Sequence, residues 1–127
     1  MKDNNPLSPH IQIYRWHISS IISISHRISG LLNFLGLILI FFWLIILSYQ
    51  ESNYEIFLLI INSFIGKLIL IGFTWSMTFH LLSGIRHLVW DMGYGFEIKT
   101  ANRSGILVVL GSFILTTIIW LFGRGYI

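Results

Sequence analysis

The sequence predicts an all-α integral membrane protein: a three-helix transmembrane bundle behind an N-terminal surface segment, with the N-terminus on the cytoplasmic or matrix side. Three observations predict it. Of 127 residues, 55% are hydrophobic and only 10% charged, whereas a soluble domain has about 25% charged residues. The mean hydropathy is +0.79. Finally, three apolar stretches are each long enough to cross a bilayer, and the Lys and Arg residues around them are unevenly distributed. The five Trp, five Tyr and ten Phe suit a chain with two membrane interfaces to anchor. The net charge of +3 is small and scattered, which argues against nucleic-acid binding. Without cysteine there are no disulfides, no iron–sulfur ligation and no covalent c-type haem attachment. The expectation is one membrane domain over residues 1–127, with a surface segment at 1–18 and spans at about 26–49, 60–88 and 104–123.

Residues 1–15 are polar, and Pro6 and Pro9 oppose a helix there. No apolar core directly follows Lys2 and no small-residue cleavage site ends one, so the segment reads as neither a secretory signal nor an Arg-rich transit peptide. It is expected to lie along the membrane surface with Tyr14 and Trp16 at headgroup level. The first helix is expected from Ser19 or Ser20. Its uncharged core, residues 28–50, would span about 34 Å against a hydrocarbon layer of ~30 Å. A polar stripe approaches it: Ser19, Ser23, His26, Gly30 and Asn33 recur at steps of three and four, with Ile21, Ile24 and Ile28 opposite. Arg27 sits beside His26. Taken alone, the two would mark the interface, with Arg27 snorkelling to the headgroups.

The connection at 48–55 carries two acids and no Lys or Arg. The second apolar run, 56–85, is broken only by Lys67 and exceeds a simple span. Its first third is therefore expected to extend beyond the hydrocarbon, with Lys67 near the outer boundary. The uncharged part, 68–85, corresponds to about 27 Å of helix. The next connection holds Asp91, Glu97, Lys99 and Arg103, with Gly93 and Gly95 loosening the turn. The third run, 105–123, offers Ser112 and Thr116 as a small packing face. Lys2, Arg15, Arg27, Arg86, Lys99 and Arg103 fall on the side of the N-terminus, and Lys67 and Arg124 on the other. The positive-inside rule then places the N-terminus in the cytoplasm or mitochondrial matrix.

A second polar stripe runs along the second span. Ser76, His80, Ser83 and His87 follow one line, and Gly84 beside it leaves room for something flat. His80 lies inside the apolar layer, where an ionisable side chain is costly enough to suggest function. Both stripes open toward the same compartment. Such a constellation suits several chemistries. One is a b-type haem, with a neutral imidazole of His80 on the iron, Ser83 and Gly84 giving clearance, and His26, Arg27 and His87 near the anionic propionates. Another is a quinone site with Ser23 and Arg27 as donors. A third is a proton relay in a small proton-conducting or transporter-like protein. The bland alternative is a histidine hydrogen-bonded to a neighbouring helix, in a purely structural anchor. Composition and spacing leave these open. A six-coordinate haem needs two axial ligands, and His80 is the only deeply placed histidine. Its second ligand would come from another chain.

Two motifs carry a resemblance. Residues 23–30, with Ser23, His26, Arg27, Ser29 and Gly30, resemble the S-x-x-H-R-x-[ST]-G signature of the cytochrome b membrane-anchor subunits of succinate dehydrogenase, respiratory complex II. Residues 80–91, with His80, Gly84, Ile85, Arg86, His87 and Asp91, are similar to the family's H-x-x-x-G-I-R-H-x-x-x-D signature. The opening at 6–16, beginning Pro6, Leu7, Ser8 and Pro9, is similar to the leader of alphaproteobacterial and mitochondrial members, although Asn5 stands where a basic residue is common.

The resemblance implies that His80 is the axial haem b ligand from this chain, with the other ligand on a second small membrane-anchor subunit. It implies that His87 lies near the propionates, that His26 and Arg27 lie between propionate and quinone, that Ser23 hydrogen-bonds ubiquinone, and that Asp91 is an acid near the quinone-side surface. The implied partners are that companion anchor, an iron–sulfur subunit, a flavoprotein subunit and the lipid bilayer. The implied activity is delivery of electrons from succinate to ubiquinone, with no dehydrogenase chemistry on this chain.

Overall fold

A computed structural model describes residues 14–49 and 51–123, with the backbone alone for Glu51, Ser52 and Asn53. The expectations for residues 1–13 and for Arg124 lie outside the described residues. Among the described residues four helices follow one another: α1, Ile18–Leu47; α2, Glu51–Asn62; α3, Phe64–Asp91; and α4, Ile98–Gly123. Among the described residues there is no strand. Helices α1, α3 and α4 are long and apolar enough to cross a membrane, at 30, 28 and 26 residues. At ~1.5 Å per residue each exceeds the hydrocarbon thickness, so their ends reach the headgroups or the helices tilt. The all-helical, three-span architecture expected from the sequence is the one observed.

The second apolar run differs from a continuous helix. It breaks at Ser63, whose extended backbone (φ −62°, ψ 160°) caps α3. The Ser63 hydroxyl accepts from the Gly66 N–H at 3.1 Å and donates to the Ile60 carbonyl at 2.6 Å, so one side chain closes the end of α2 and opens α3. A Cβ on Gly66 would collide with the Ile60 carbonyl and the Ile61 backbone. The turn therefore needs glycine for a close approach. The first third of the run is a separate helix, α2, which packs against α1 and α3. Hydropathy alone could not reveal this, because Ile, Leu and Phe dominate both sides of the cap.

Helix α3 is central, with α1 on one side and α4 on the other. The only large buried apolar residues among those described are Ile22, Phe79 and Val108, while Ser29, Ser76, Thr78, Ser83, Arg86, Ser112 and Thr116 are also buried. The Leu, Ile and Phe residues of the three spans mostly face outward. This follows from the solvent: lipid provides no hydrophobic force between helices, so small residues and interhelical hydrogen bonds hold the seams. Along α3–α4, Trp75 Nε1 donates to Ser112 Oγ at 3.0 Å, and the Thr78 and Thr116 hydroxyls meet at 2.9 Å. The small polar face expected on α4 is this seam.

Along α1–α3, Gly36 faces the Phe73 ring so closely that any Cβ would overlap it. Gly36→Val should therefore force the helices apart at a cost of about 1–3 kcal/mol. The check is a lower thermal midpoint of the detergent-solubilised protein, and an unchanged midpoint would mean the seam repacks freely. At the other end of α1, Ile22 packs over Gly105 of α4. The start of α1, the end of α3 and the start of α4 thus gather at one end of the bundle. His26, His80 and His87 lie toward that end.

Candidate functional site

The site is built where α1 comes closest to the second half of α3. Gly30, one turn beyond His26, permits the approach: a Cβ there would stand 3.2 Å from His80 Cε1. The His26 imidazole stacks on His80 at 4.0 Å between centroids and 9° between planes, and on His87 at 4.9 Å and 26°. The two α3 histidines face one way because seven residues are about two helical turns, and α1 supplies the third ring.

The hydrogen bonds fix which nitrogens remain available. His80 Nδ1 lies 3.2 Å from the His26 carbonyl and 3.0 Å from Ser29 Oγ. A carbonyl oxygen only accepts, and Ser29 Oγ itself donates to that carbonyl at 2.8 Å. The network is consistent when Nδ1 carries the proton and Nε2 keeps its lone pair. His87 repeats the pattern, with Nδ1 2.7 Å from the Ser83 carbonyl. Ser76 Oγ donates to the Ser29 carbonyl at 3.2 Å and ties the two backbones one turn deeper. The buried atoms His26 Nδ1 and Ser83 Oγ have no partner.

Parallel rings cannot aim three nitrogens at one ion, and among the described residues no group of three His, Asp or Glu side chains is arranged to hold a metal. What the geometry offers is two α3 imidazoles with locked tautomers, of which His80 is the one set deeper in the span and crossed by α1 at Gly30. Beside it on α3, a Cβ on Gly84 would meet nothing within 4 Å. That open flank matches the clearance expected of Gly84 from the sequence.

Of the residues singled out by sequence, the structure brings His26, His80 and His87 into one stack. It does not bring Ser23, Arg27 or Asp91 into it. Ser23 is half-buried on α1, one turn nearer the helix start than His26, while Arg27 and Asp91 are exposed. Among the described residues these three make no hydrogen bond or ion pair. Ser23 and Arg27, four apart, share one flank of α1.

The sequence reading passed over two features. Ser29 is buried and is the direct partner of His80. Its place three residues after His26 put it one turn along the same helix, which was the available signal. Arg86, which the sequence offers as a topology charge and as a member of the second signature but with no role of its own, is buried between α3 and α4. It donates from Nε to Ser104 Oγ and from Nη2 to the Ala101 carbonyl, both at 2.9 Å, and covers the Trp90 ring at 3.9 Å. Arg86 could not be told from a snorkelling arginine without knowing where α4 runs.

Comparison with known proteins gives a consistent result. The family model for succinate dehydrogenase/fumarate reductase transmembrane subunits matches residues 1–119. The succinate dehydrogenase cytochrome b556 subunit of Rickettsia prowazekii is 42% identical over 93% of this chain and 92% of its own length. That of Paracoccus denitrificans is 38% identical, over 92% of this chain and 90% of its own. The cytochrome b560 subunit of Reclinomonas americana is 37% identical over 95% and 88%, respectively.

Proposed function

The chain belongs to the family of succinate dehydrogenase/fumarate reductase transmembrane subunits, and from that premise we propose that it is the membrane anchor that binds haem b and helps form the ubiquinone-reducing site. Succinate is oxidised on a flavoprotein subunit, electrons pass through an iron–sulfur subunit docked at the His26/His87 end of the bundle, and ubiquinone takes up two electrons and two protons. A companion anchor subunit would supply the second ligand to the iron. Family membership sets aside a stand-alone proton-conducting protein.

The observation that carries the haem assignment is the state of His80. Its Nδ1 is engaged by Ser29 and the His26 carbonyl, which leaves Nε2 for iron, and the flank at Gly84 is open. Hydrogen bonds to the far nitrogen of a ligating imidazole orient the ring and raise its basicity. The unpartnered His26 Nδ1 and Ser83 Oγ fit a site that gains polar contacts when filled. When bound, the haem supplies a one-electron store next to the quinone site.

The remaining roles fall to half-buried and exposed side chains of the chain itself. The Ser23 hydroxyl orients a quinone carbonyl. Arg27, free of any other partner among the described residues, donates a charge-assisted hydrogen bond to the oxygen that gains negative charge. His26 and His87 would hold the propionates of a bound haem, and Asp91, exposed at the end of α3, could pass protons. This chain performs no dehydrogenase step.

Copurification of the chain with a flavoprotein and an iron–sulfur protein, and a reduced-minus-oxidised b-type spectrum, tests the assignment. A pure chain with no haem and no flavoprotein partner would contradict it. Ser29→Ala gives a finer check. The His26 carbonyl still holds Nδ1, so haem should remain with a shifted midpoint and up to about tenfold weaker retention. An identical midpoint would mean that Ser29 only packs.

A further inference from the structure

We infer that Arg86 and Trp90 are positioning residues: anchored to the start of α4 and to the turn after α3, they hold the His87 imidazole against His26 and so fix the stack in which His80 sits. The inference rests on the haem assignment above for its readout.

A buried guanidinium normally answers to a carboxylate, because an unpaired charge removed from water is expensive. Arg86 is only 5% exposed, yet among the described residues it has no acidic partner. Its contacts are neutral: the Ser104 hydroxyl and the Ala101 carbonyl, which share one turn of α4, and the Trp90 face, while the buried Nη1 has no partner. A planar fork with stacking faces can satisfy all three at once, and an ammonium cannot. The arginine therefore serves to place something, and what it touches on the far side is Trp90.

Trp90 is held from two more sides. Its Nε1 donates to the Gly95 carbonyl at 3.2 Å, and its ring lies alongside Phe96 at 6.3 Å. The turn can fold back beneath it because Gly93 and Gly95 take positive φ, 88° and 80°. Pinned in this way, Trp90 sets its ring edge-on to His87 at 5.2 Å and 71°. His87 is otherwise held by one hydrogen bond, to the carbonyl one turn back, which leaves the ring free to pivot about that bond. Trp90 on one side and His26 on the other remove this freedom. Contacts thus run unbroken from Ala101 and Ser104 through Arg86, Trp90, His87 and His26 to His80.

The test uses the assembled complex in its membrane, with low-spin haem resonance spectra and redox titration as readouts. R86Q and W90L should shift both the resonance positions and the midpoint in the same direction. R86K keeps the charge but not the fork and should resemble R86Q more than the parent. W90F keeps a ring between Arg86 and His87 and should shift least. In a His87→Ala background R86Q should add no further shift, because the interaction acts through that ring. A purely structural clamp predicts less complex but a parental spectrum. Parental spectra in assembled R86Q and W90L, or an undiminished R86Q shift without His87, would overturn the role. If R86Q does not assemble, S104A, which removes one clamping hydrogen bond, and W90L carry the test, and parental spectra in both overturn it. A spectrum lost in His80→Ala but indifferent to Arg86 and Trp90 refutes positioning alone. A spectrum that survives His80→Ala refutes the haem assignment and the positioning role with it.

Discussion

His80→Ala should abolish the low-spin b-type haem signal of the assembled complex. The size of the effect follows from how little else could replace the ligand. His26 and His87 lie within 5 Å of each other and share the stack with His80. However, His87 Nδ1 is bound to the Ser83 carbonyl nearer the aqueous end, and the His26 ring is stacked between neighbours. Removing the imidazole also strips Ser29 Oγ of its cross-helix partner, leaving it only the His26 carbonyl of its own helix. An optical difference spectrum, normalised to flavin, reads the outcome. Full retention of the signal would remove His80 from the iron.

Much of this site was legible in the sequence, for a definable reason. Helical periodicity puts His80 and His87 on one line of α3, and His26 and Gly30 on one line of α1, whatever the surroundings. Both lines are polar in an apolar chain, so they had to face protein or a cofactor rather than lipid. The alternation of apolar runs and charged gaps likewise determined three spans. What stayed hidden depends on pairs of helices. Whether Ser29 or Ser23 meets His80 is decided by the rotation of α1, which two equally polar positions leave undetermined. Whether Arg86 snorkels or is buried depends on where α4 begins, and that is set by the turn at Gly93 and Gly95. The break at Ser63 was invisible for another reason. A cap is one hydrogen-bonding side chain, and a hydropathy window over Ile, Leu and Phe averages it away.

The structure also separates two regions that the motifs run together. The stack of His26, His80 and His87 lies half-buried between α1 and α3, with Nδ1 of both α3 histidines held by backbone carbonyls. Ser23 and Arg27 share another flank of the same helix, within three residues of the stack's own member, His26. A cofactor held by the first region and a substrate held by the second would share α1 as their common wall. That arrangement suits electron transfer, because the substrate can exchange with the membrane pool while the cofactor stays in place.

That separation predicts the second large effect. Arg27→Ala should depress ubiquinone reduction by about ten- to a hundredfold in kcat/KM, the equivalent of ~1.5–3 kcal/mol for a hydrogen bond to a charged group. Ser23→Ala, which removes a neutral donor, should cost about two- to tenfold on the same scale. Neither should alter succinate oxidation by an artificial acceptor that takes electrons before the quinone. Neither should abolish the haem signal, because neither side chain touches the imidazole stack. Arg27→Lys keeps the charge but loses the fork and should recover only part of the loss. Quinone kinetics that match the parent in both alanine variants would remove the substrate from this flank of α1. A loss shared equally with the artificial acceptor would instead place the defect in assembly with the electron-donating subunits.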